Sequence, residues 1–572
     1  MAEHDLVVRA GTVVDGTGSP PRTADVAVRD GRITEVGRVS GRGRREITAD
    51  GAVVAPGFVD IHTHYDGQAT WESRLQPSSW HGVTTVVMGN CGVGFAPVEP
   101  VHHDRLIELM EGVEDIPGIA LHEGLRWDWR TFPEYLDALD ALPHDVDMAA
   151  QVPHAALRVQ AMGERAAAHE EATPEEIALM ARLAREGVEA GALGFSTSRT
   201  LNHKSISGEL TPSYAVGADE LVAIATAVGE TGRGVFQLVS DFPDPEAEFA
   251  LIRAMVARSG RPLSASLVQS PIAPAMHREV LRLIDAAQAD GLPILAQVAA
   301  RPVGMLLGLH NTLNPFMTNP VWRQLADLSP EEQAARMAEP RLRSEIVAAQ
   351  TGEKDRSRLG GTLIHRYELM YELTDPPNYE PSASESIAAR AERAGVSPVE
   401  IAYDVVSGGG MVYLTSLNYA DGNLDAAHEM LTHQHTVPGL SDGGAHVGTI
   451  CDGSFPTTLL QHWTRDRDGA RLDLPFVVQR QARDTARAVG LLDRGILAPG
   501  YRADLNVIDM DALRLHRPEV RYDLPAGGRR LLQRADGYLH TVVAGLETYR
   551  DGEPTEALPG RLVRGPAPAP RG

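Results

Sequence analysis

The middle of the chain alternates short apolar runs with amphipathic helical segments, and this alternation restricts the fold more than any other feature. Eight runs have the length and composition of buried strands; they begin with GFVDIHTH and GVTTVVMGN and end with TVPGLSD. Segments such as TPEEIALMARLAREGVEAG lie between them and predict helices, here with Thr173 as N-cap and Pro174 in the first turn. The alternation is typical of βαβ units on a parallel sheet, and eight strands are the number that closes a (β/α)₈ barrel.

The two ends of the chain have a different pattern. DLVVRAGTVVDGTG and ADVAVRDGRITEVG alternate apolar with polar residues, and Asp30-Gly31 within the second predicts a hairpin turn. Near the other end, ADLNVIDMD and LHTVVAGLETYRDGEP are also strand-like. Two segments exceed ordinary connections between elements: residues 92–146 after the second strand, and a mostly helical insertion at about 303–400 after the seventh.

Charge and cysteine content exclude several classes of protein. The 77 acidic residues outnumber the 53 basic ones and give a net charge of −24, which argues against binding to nucleic acid or to an anionic membrane surface. Two cysteines, Cys91 and Cys451, do not make a disulfide framework and fit a reducing compartment. Because the sequence shows neither a signal peptide nor an apolar run long enough to span a bilayer, we expect a cytoplasmic protein.

The first barrel strand ends in His62-Thr63-His64. Side chains at positions i and i+2 of a strand point to the same face, so the two imidazoles are expected to lie side by side. Such a pair suits a metal ion, since neutral imidazole is a good zinc ligand. It is equally consistent with two hydrogen-bonded polar residues at a strand end, and the pair alone does not decide between the two interpretations.

Further motifs are spread along the chain in a fixed order: PGFVDIHTH, GVTTVVMGNCG, VPHAALR, GALGFSTS, SDGGAH, GSFPTTLL and DRGILAPGYRADLNVID. Together they resemble the amidohydrolase superfamily, and within it the D-aminoacylase (N-acyl-D-amino-acid deacylase) branch. The resemblance implies a catalytic (β/α)₈ barrel and a small β-sandwich built from both chain ends. We therefore expect residues 1–55 and 496–565 to form the sandwich, and residues 56–495 to form the barrel.

The resemblance also implies a metal centre at the ends of the strands. His62 and His64 would bind the ion, and Cys91, just beyond the second strand, would be a further ligand. Asp442, at the end of the eighth strand, would contact the metal and act as the general base that takes a proton from the nucleophilic water. Read without the resemblance, Cys91 is a small buried residue and Asp442 an ordinary turn residue before Gly443.

The chain departs from the resembling branch at the fifth and sixth strands. D-aminoacylases have a histidine at the end of each, and with the cysteine these hold the tighter-binding metal. Here the fifth strand has Gln237, and the sixth has Ser266, Leu267 and Gln269. Because an amide oxygen is a poor zinc ligand, the second metal position is expected to be lost, and the site to hold one divalent ion, zinc.

Four further residues are candidates for binding the substrate. Arg301 follows the seventh strand and would grip a substrate carboxylate bidentately. Arg199, His203 and Lys204 follow the fourth strand and are expected to line the barrel mouth. The alternative for Lys204 is a solvated surface lysine.

These features predict a metal-dependent hydrolase that cleaves a C–N amide bond of a small molecule, such as an N-acyl amino acid or a related amide with a carboxylate. One alternative is a metal-poor barrel that binds a ligand without hydrolysing it. Another keeps the single-metal site but opens a cyclic amide or deaminates. The sequence leaves the stereochemistry of the substrate and the oligomeric state open, including a homo-oligomer.

Overall fold

The computed structural model describes residues 2–214, 216–420 and 422–571. Eight parallel strands form one curled sheet in chain order, each paired with the next. The eight runs predicted from the sequence supply them, which confirms the barrel fold. The strands are β1 (Phe58–Asp60), β2 (Val83–Met88), β3 (Asp147–Pro153), β4 (Gly194–Arg199), β5 (Val235–Ser240), β6 (Leu263–Leu267), β7 (Ile294–Val298) and β8 (Thr436–Pro438).

The barrel closes just beyond the ends of its first and last strands. Thr63 and Gly443 form a parallel β-bridge. The amide of His64 donates to the Gly443 carbonyl at 2.8 Å, and the amide of Asp442 donates to the His62 carbonyl at 3.1 Å. The segments that carry His62, His64 and Asp442 are therefore also the segments that join β8 to β1.

Helices cover the outside of the barrel. The predicted cap at Thr173 is present: its side chain accepts the amide of Glu176, and the Glu176 carboxylate accepts the amide of Thr173, which is a capping box. Both faces of β2 and β3 are buried, as expected for a parallel sheet lined by helices on one face and by the barrel interior on the other. The main helices on the barrel are His154–Met162, Pro174–Ala190, Ala218–Glu230, Pro245–Ser259, Met276–Ala289, Asp425–Thr432, Phe455–Gln461, Leu474–Gln479 and Thr485–Ala488.

Strands from both chain ends pair in one sheet beside the barrel. Val53–Pro56 lies antiparallel to Leu505–Ile508, so the N-terminal and C-terminal strands are hydrogen-bonded to each other. The predicted hairpin turn is present, with positive φ at Asp30 (51°) and Gly31 (70°), as a two-residue hairpin turn of this kind requires. The other strands of this sheet are His4–Val13, Arg22–Arg29, Arg32–Gly37, Gly43–Thr48, Tyr538–Val543, Leu546–Arg550 and Glu553–Pro554.

The two long segments are folded onto the barrel. The first carries α1 (His103–Glu114) and the helices Gly118–Gly124 and Phe132–Asp140. The second has its own apolar core and the helices Pro330–Met337, Pro340–Ala349, Ile387–Ala394 and Pro398–Ser407. It extends beyond the expected end at about residue 400 and is less purely helical than expected, since Val303–Leu307 and Met370–Glu372 pair with Val412–Leu417 in a three-stranded antiparallel sheet.

In the described part of the chain, no helix combines the length and the apolarity that crossing a membrane requires.

Candidate metal centre

Three predicted ligands converge at the end of the barrel where β1 and β2 end. One ligand atom from each of His62, His64 and Cys91 lies within 4.8 Å of the other two, and all three side chains are buried. The Cys91 Sγ is 3.3 Å from the His62 Nε2. Cys91 has a φ of 55°, an uncommon conformation for a residue other than glycine. The turn after β2 therefore adopts a special backbone geometry at the position where the thiol meets the imidazoles.

Asp442 faces the same point from the other side of the barrel seam. Its Oδ1 is 3.4 Å from the His62 Nε2 and 3.5 Å from the His64 Nε2. Tetrahedral zinc with bonds of about 2.0–2.3 Å separates its ligand atoms by roughly 3.3–3.7 Å. The three distances Cys91 Sγ–His62 Nε2, His62 Nε2–Asp442 Oδ1 and His64 Nε2–Asp442 Oδ1 fall in that range. Two imidazoles, a thiol and a carboxylate also fit zinc in their chemistry. We name these four residues the metal clasp.

The protonation state of His62 suits a metal ligand. Burial lowers the pKa of His62 to about 4, so its imidazole is neutral at pH 7. Its Nδ1 lies 2.7 Å from the Gln297 Oε1, which can only accept, so the proton is on Nδ1 and the Nε2 lone pair faces Cys91 and Asp442. Burial raises the pKa of the Cys91 thiol to about 11, and a bound cation would favour its thiolate.

Asp442 is an anion in this environment. Burial alone would raise the pKa of its carboxyl group, but the imidazoles of His64 and His62 hold that pKa well below its usual range. An ionised carboxylate beside the clasp is able to accept a proton, which is the property a general base requires.

Two residues that the sequence analysis missed lie against the clasp. Glu114, the last residue of α1, is 1% exposed, and its Oε1 is 3.2 Å from the His64 Nδ1. His446 places its Nε2 3.9 Å from both the Glu114 Oε2 and the Asp442 Oδ2. The sequence contained a signal for Glu114. It follows Leu106, Met110 and Val113 on the apolar face of α1, and a carboxylate is rarely buried on such a face unless it has a partner. His446 follows Asp442 in SDGGAH.

Gln237 of β5 and Ser266 of β6 form a hydrogen-bonded pair behind the Cys91 turn. The Gln237 Oε1 accepts the amide of Cys91 at 2.8 Å, and its Nε2 donates to the Ser266 Oγ at 3.3 Å. The side-chain amide of Gln237 therefore fixes the backbone of the Cys91 turn through this hydrogen bond. The number of ions bound here stays a prediction.

The four predicted substrate-binding residues have different environments. Arg199 is paired bidentately with Glu248, and its Nη1 donates to the Val216 carbonyl. The His203 Nδ1 lies 3.0 Å from the Ser198 Oγ. Burial, with the charges of His446 and His64, lowers the pKa of His203 to about 3. Lys204 is half-buried, and its backbone forms a bridge with Leu210.

Arg301 is 1% exposed and already holds partners within the protein. Its Nη2 donates to the Asp452 Oδ1 and to the Cys451 carbonyl, both at 2.9 Å, and its Nη1 donates to the Thr458 Oγ1 at 3.0 Å. The guanidinium also stacks 3.6 Å from the centre of the Tyr379 ring. This geometry makes Arg301 a structural ion-pair residue, and a role in gripping substrate stays a prediction.

Replacement of Asp452 distinguishes these roles. Asp452→Asn leaves the Arg301 charge buried without its anion, and we expect unfolding to become about 3–5 kcal/mol easier, measured by denaturant titration. The matched control is Asp404→Asn, which breaks the exposed pair with Arg343 and should cost less than about 1 kcal/mol. Unchanged stability of Asp452→Asn together with a raised KM would favour the substrate-anchor role instead.

The barrel architecture agrees with the comparison to known families. The amidohydrolase family matches residues 45–553, and the chain belongs to that family. It is a hydrolase of carbon–nitrogen bonds other than peptide bonds. Its relatives in sequence and structure include D-aminoacylase and the N-acyl-D-glutamate and N-acyl-D-aspartate deacylases.

Three comparisons extend over most of the chain. The N-acyl-D-aspartate deacylase of Alcaligenes xylosoxydans xylosoxydans is 28% identical over 517 residues, which cover 89% of this chain and 86% of the relative. The N-acyl-D-glutamate deacylase of the same organism is 26% identical over 565 residues, 98% and 96% of the two chains. A solved D-aminoacylase structure superposes with a TM-score of 0.66 and 25% identity, covering 98% and 100%. That D-aminoacylase has a binuclear centre described by one-metal activation and second-metal attenuation.

Proposed function

We propose that this protein hydrolyses the amide bond of an N-acyl amino acid or a related small amide, with one zinc ion in the metal clasp and Asp442 as general base. The observation that carries the proposal is the convergence of two imidazole nitrogens, a thiol and a carboxylate on one point at the carboxyl ends of the barrel strands. That end of the barrel is where enzymes of this fold place their chemistry. The names of the relatives support an N-acyl amino acid as the substrate class.

When bound, the ion would act as a Lewis acid, polarising the scissile carbonyl and increasing the acidity of water. The residues of the chain do the rest. Asp442, held as an anion, accepts the proton of the attacking water and then gives it to the nitrogen of the breaking C–N bond, so that the products are a carboxylic acid and an amine. Gln237 fixes the Cys91 turn, and Gln297 fixes the tautomer of His62.

A single ion is the simplest count for this donor set. The described side chain of β5 that touches the clasp is the Gln237 amide, and the Ser266 hydroxyl of β6 lies behind it; neither is a preferred zinc ligand. The sulfur and nitrogen donors select zinc over harder cations such as magnesium.

The test is a panel of N-acetyl-D- and N-acetyl-L-amino acids with neutral and acidic side chains, with hydantoin and dihydrouracil as cyclic-amide controls. Release of the free amine is followed on zinc-loaded protein whose metal content has been measured. We expect saturable turnover of a linear N-acyl amino acid and about one zinc per chain. His62→Ala should abolish turnover, whereas His122→Ala, whose side chain is 58% exposed, should not.

Other results would favour other functions. Turnover of the cyclic amides alone would favour ring opening at the same site. A zinc-loaded protein that binds N-acyl amino acids without hydrolysing any of the panel would favour the ligand-binding alternative. Full activity in protein without bound metal would contradict the proposed mechanism.

A further inference from the structure

Glu114 is an anomaly among the acidic residues of the barrel mouth. Its side chain is 1% exposed, and neither carboxylate oxygen accepts a hydrogen bond from any described residue. Removing a carboxylate from water without giving it donors is costly, so a protein keeps such a group only where a nearby group compensates. The question is which group compensates Glu114.

The nearest candidate is the far side of a clasp imidazole. The His64 Nε2 faces Asp442, and the His64 Nδ1 lies 3.2 Å from the Glu114 Oε1. This Nδ1 also has no hydrogen-bond partner among the described residues, because the ring does not aim its N–H at the carboxylate. The unsatisfied His64 Nδ1 and the unsatisfied Glu114 Oε1 therefore lie within hydrogen-bond distance of each other, and a small rotation of either side chain would align them.

The other clasp histidine shows the completed form of the same arrangement. The His62 Nδ1 is 2.7 Å from a side-chain oxygen of Gln297, and its Nε2 faces the clasp. Both imidazoles thus have a side-chain oxygen at Nδ1 and present Nε2 to the common point. In metal sites, an acceptor at the second ring nitrogen sets the tautomer and the ring orientation and raises the basicity of the ligand.

Hydrogen bonds around the end of α1 fix the position of Glu114. Its own carbonyl accepts the amide of Val447 at 3.3 Å. The next residue, Asp115, accepts hydroxyl hydrogen bonds from Thr449 at 2.5 Å and from Thr312 at 2.9 Å. The end of α1 is therefore attached to the loop after β8, which also carries Asp442.

From this geometry we propose that Glu114 is a positioning residue of the metal centre: it holds His64 through Nδ1, so that Nε2 is unprotonated and aimed at the metal. The inference rests on the proposed zinc site. It assigns a function to the segment between β2 and β3, whose first helix delivers a carboxylate to the centre of the barrel mouth.

The experiment measures zinc affinity by competition with a chromogenic chelator, together with the stability of the metal-free protein. Glu114→Gln keeps the shape and removes the charge, and we expect it to weaken zinc binding about 10–100-fold. Glu114→Ala, which removes the acceptor altogether, should be at least as weak. In the metal-free state, Glu114→Gln should unfold at the same denaturant concentration as the wild type or a higher one, because a buried carboxylate without donors has been removed.

The matched control is Glu108→Gln on the same helix, where the side chain is 47% exposed and pairs with Arg105; its zinc affinity should equal that of the wild type. Wild-type zinc affinity in both Glu114 variants would overturn the proposal. So would a metal-free Glu114→Gln protein that is less stable than the wild type but binds zinc normally once folded, since that pattern describes a purely structural residue. If the wild-type chain itself binds no zinc, the proposed function fails as well, and that outcome is distinct from the other two.

Discussion

Asp442→Asn is expected to lower kcat by about 10³-fold, which corresponds to about 4 kcal/mol of transition-state stabilisation. Asparagine has nearly the same shape as aspartate, but its amide cannot accept the proton of the attacking water. The carboxylate it replaces is held in its ionised form by His64 and His62, although the site is buried. The measurement is kcat at saturating substrate and saturating zinc, with bound zinc determined in the same samples.

Bound zinc separates the two ways in which this variant can lose activity. Because the Asp442 Oδ1 also belongs to the clasp, the variant is expected to bind zinc more weakly. Saturating zinc restores the occupancy of the site but does not restore the proton acceptor. Asp137→Asn, at a side chain that is 72% exposed, is the matched control and should retain full activity. An Asp442→Asn protein with zinc bound and kcat within threefold of the wild type would show that another group is the base.

Cys91→Ser should weaken zinc binding by at least about 100-fold, more than the loss of a residue that only orients a ligand. A serine hydroxyl is a much poorer zinc ligand than a thiolate. The Cys91 Sγ lies 3.3 Å from the His62 Nε2, and Cys91 has a positive φ in the turn after β2. The measurements are zinc affinity by chelator competition and activity as a function of free zinc.

The chain contains its own control for this change. Cys451 is also buried, but it lies beside the Arg301–Asp452 pair, away from the two histidines. Cys451→Ser should therefore keep the zinc affinity of the wild type. If Cys91→Ser binds zinc as tightly as Cys451→Ser does, the clasp consists of His62, His64 and Asp442 without the thiol.

The parts of the fold and of the clasp that were predictable from sequence are those encoded locally. The barrel strands are continuous apolar runs between turn signals, and the ligands His62 and His64 stand directly at the end of one of them. Asp442 follows the last barrel strand in the same way. Since the carboxyl ends of parallel strands meet at one end of a barrel, their convergence could be expected before any coordinates.

The residues that escaped prediction depend on how distant segments dock. Glu114 reaches the clasp because the end of α1 binds the loop after β8, and no local pattern specifies that contact. Arg301 shows the same dependence on distant partners. Its position after β7 suggested a free cation at the barrel mouth, but Asp452, which lies far along the chain, neutralises it. A side chain's partners decide whether it is available to a substrate, and long-range partners are not visible in a local motif.

The seam between β1 and β8 gives the metal centre a second significance. The His62 and His64 backbone bonds to Asp442 and Gly443 join the first and last strands of the barrel, so the clasp exists only in a chain that has closed its ring. An ion that binds the closed barrel and not the open chain stabilises the closed state by mass action. Metal supply would then act on the lifetime of the folded protein as well as on its turnover, and a chain made in zinc-poor conditions would be most vulnerable to unfolding and proteolysis at this seam.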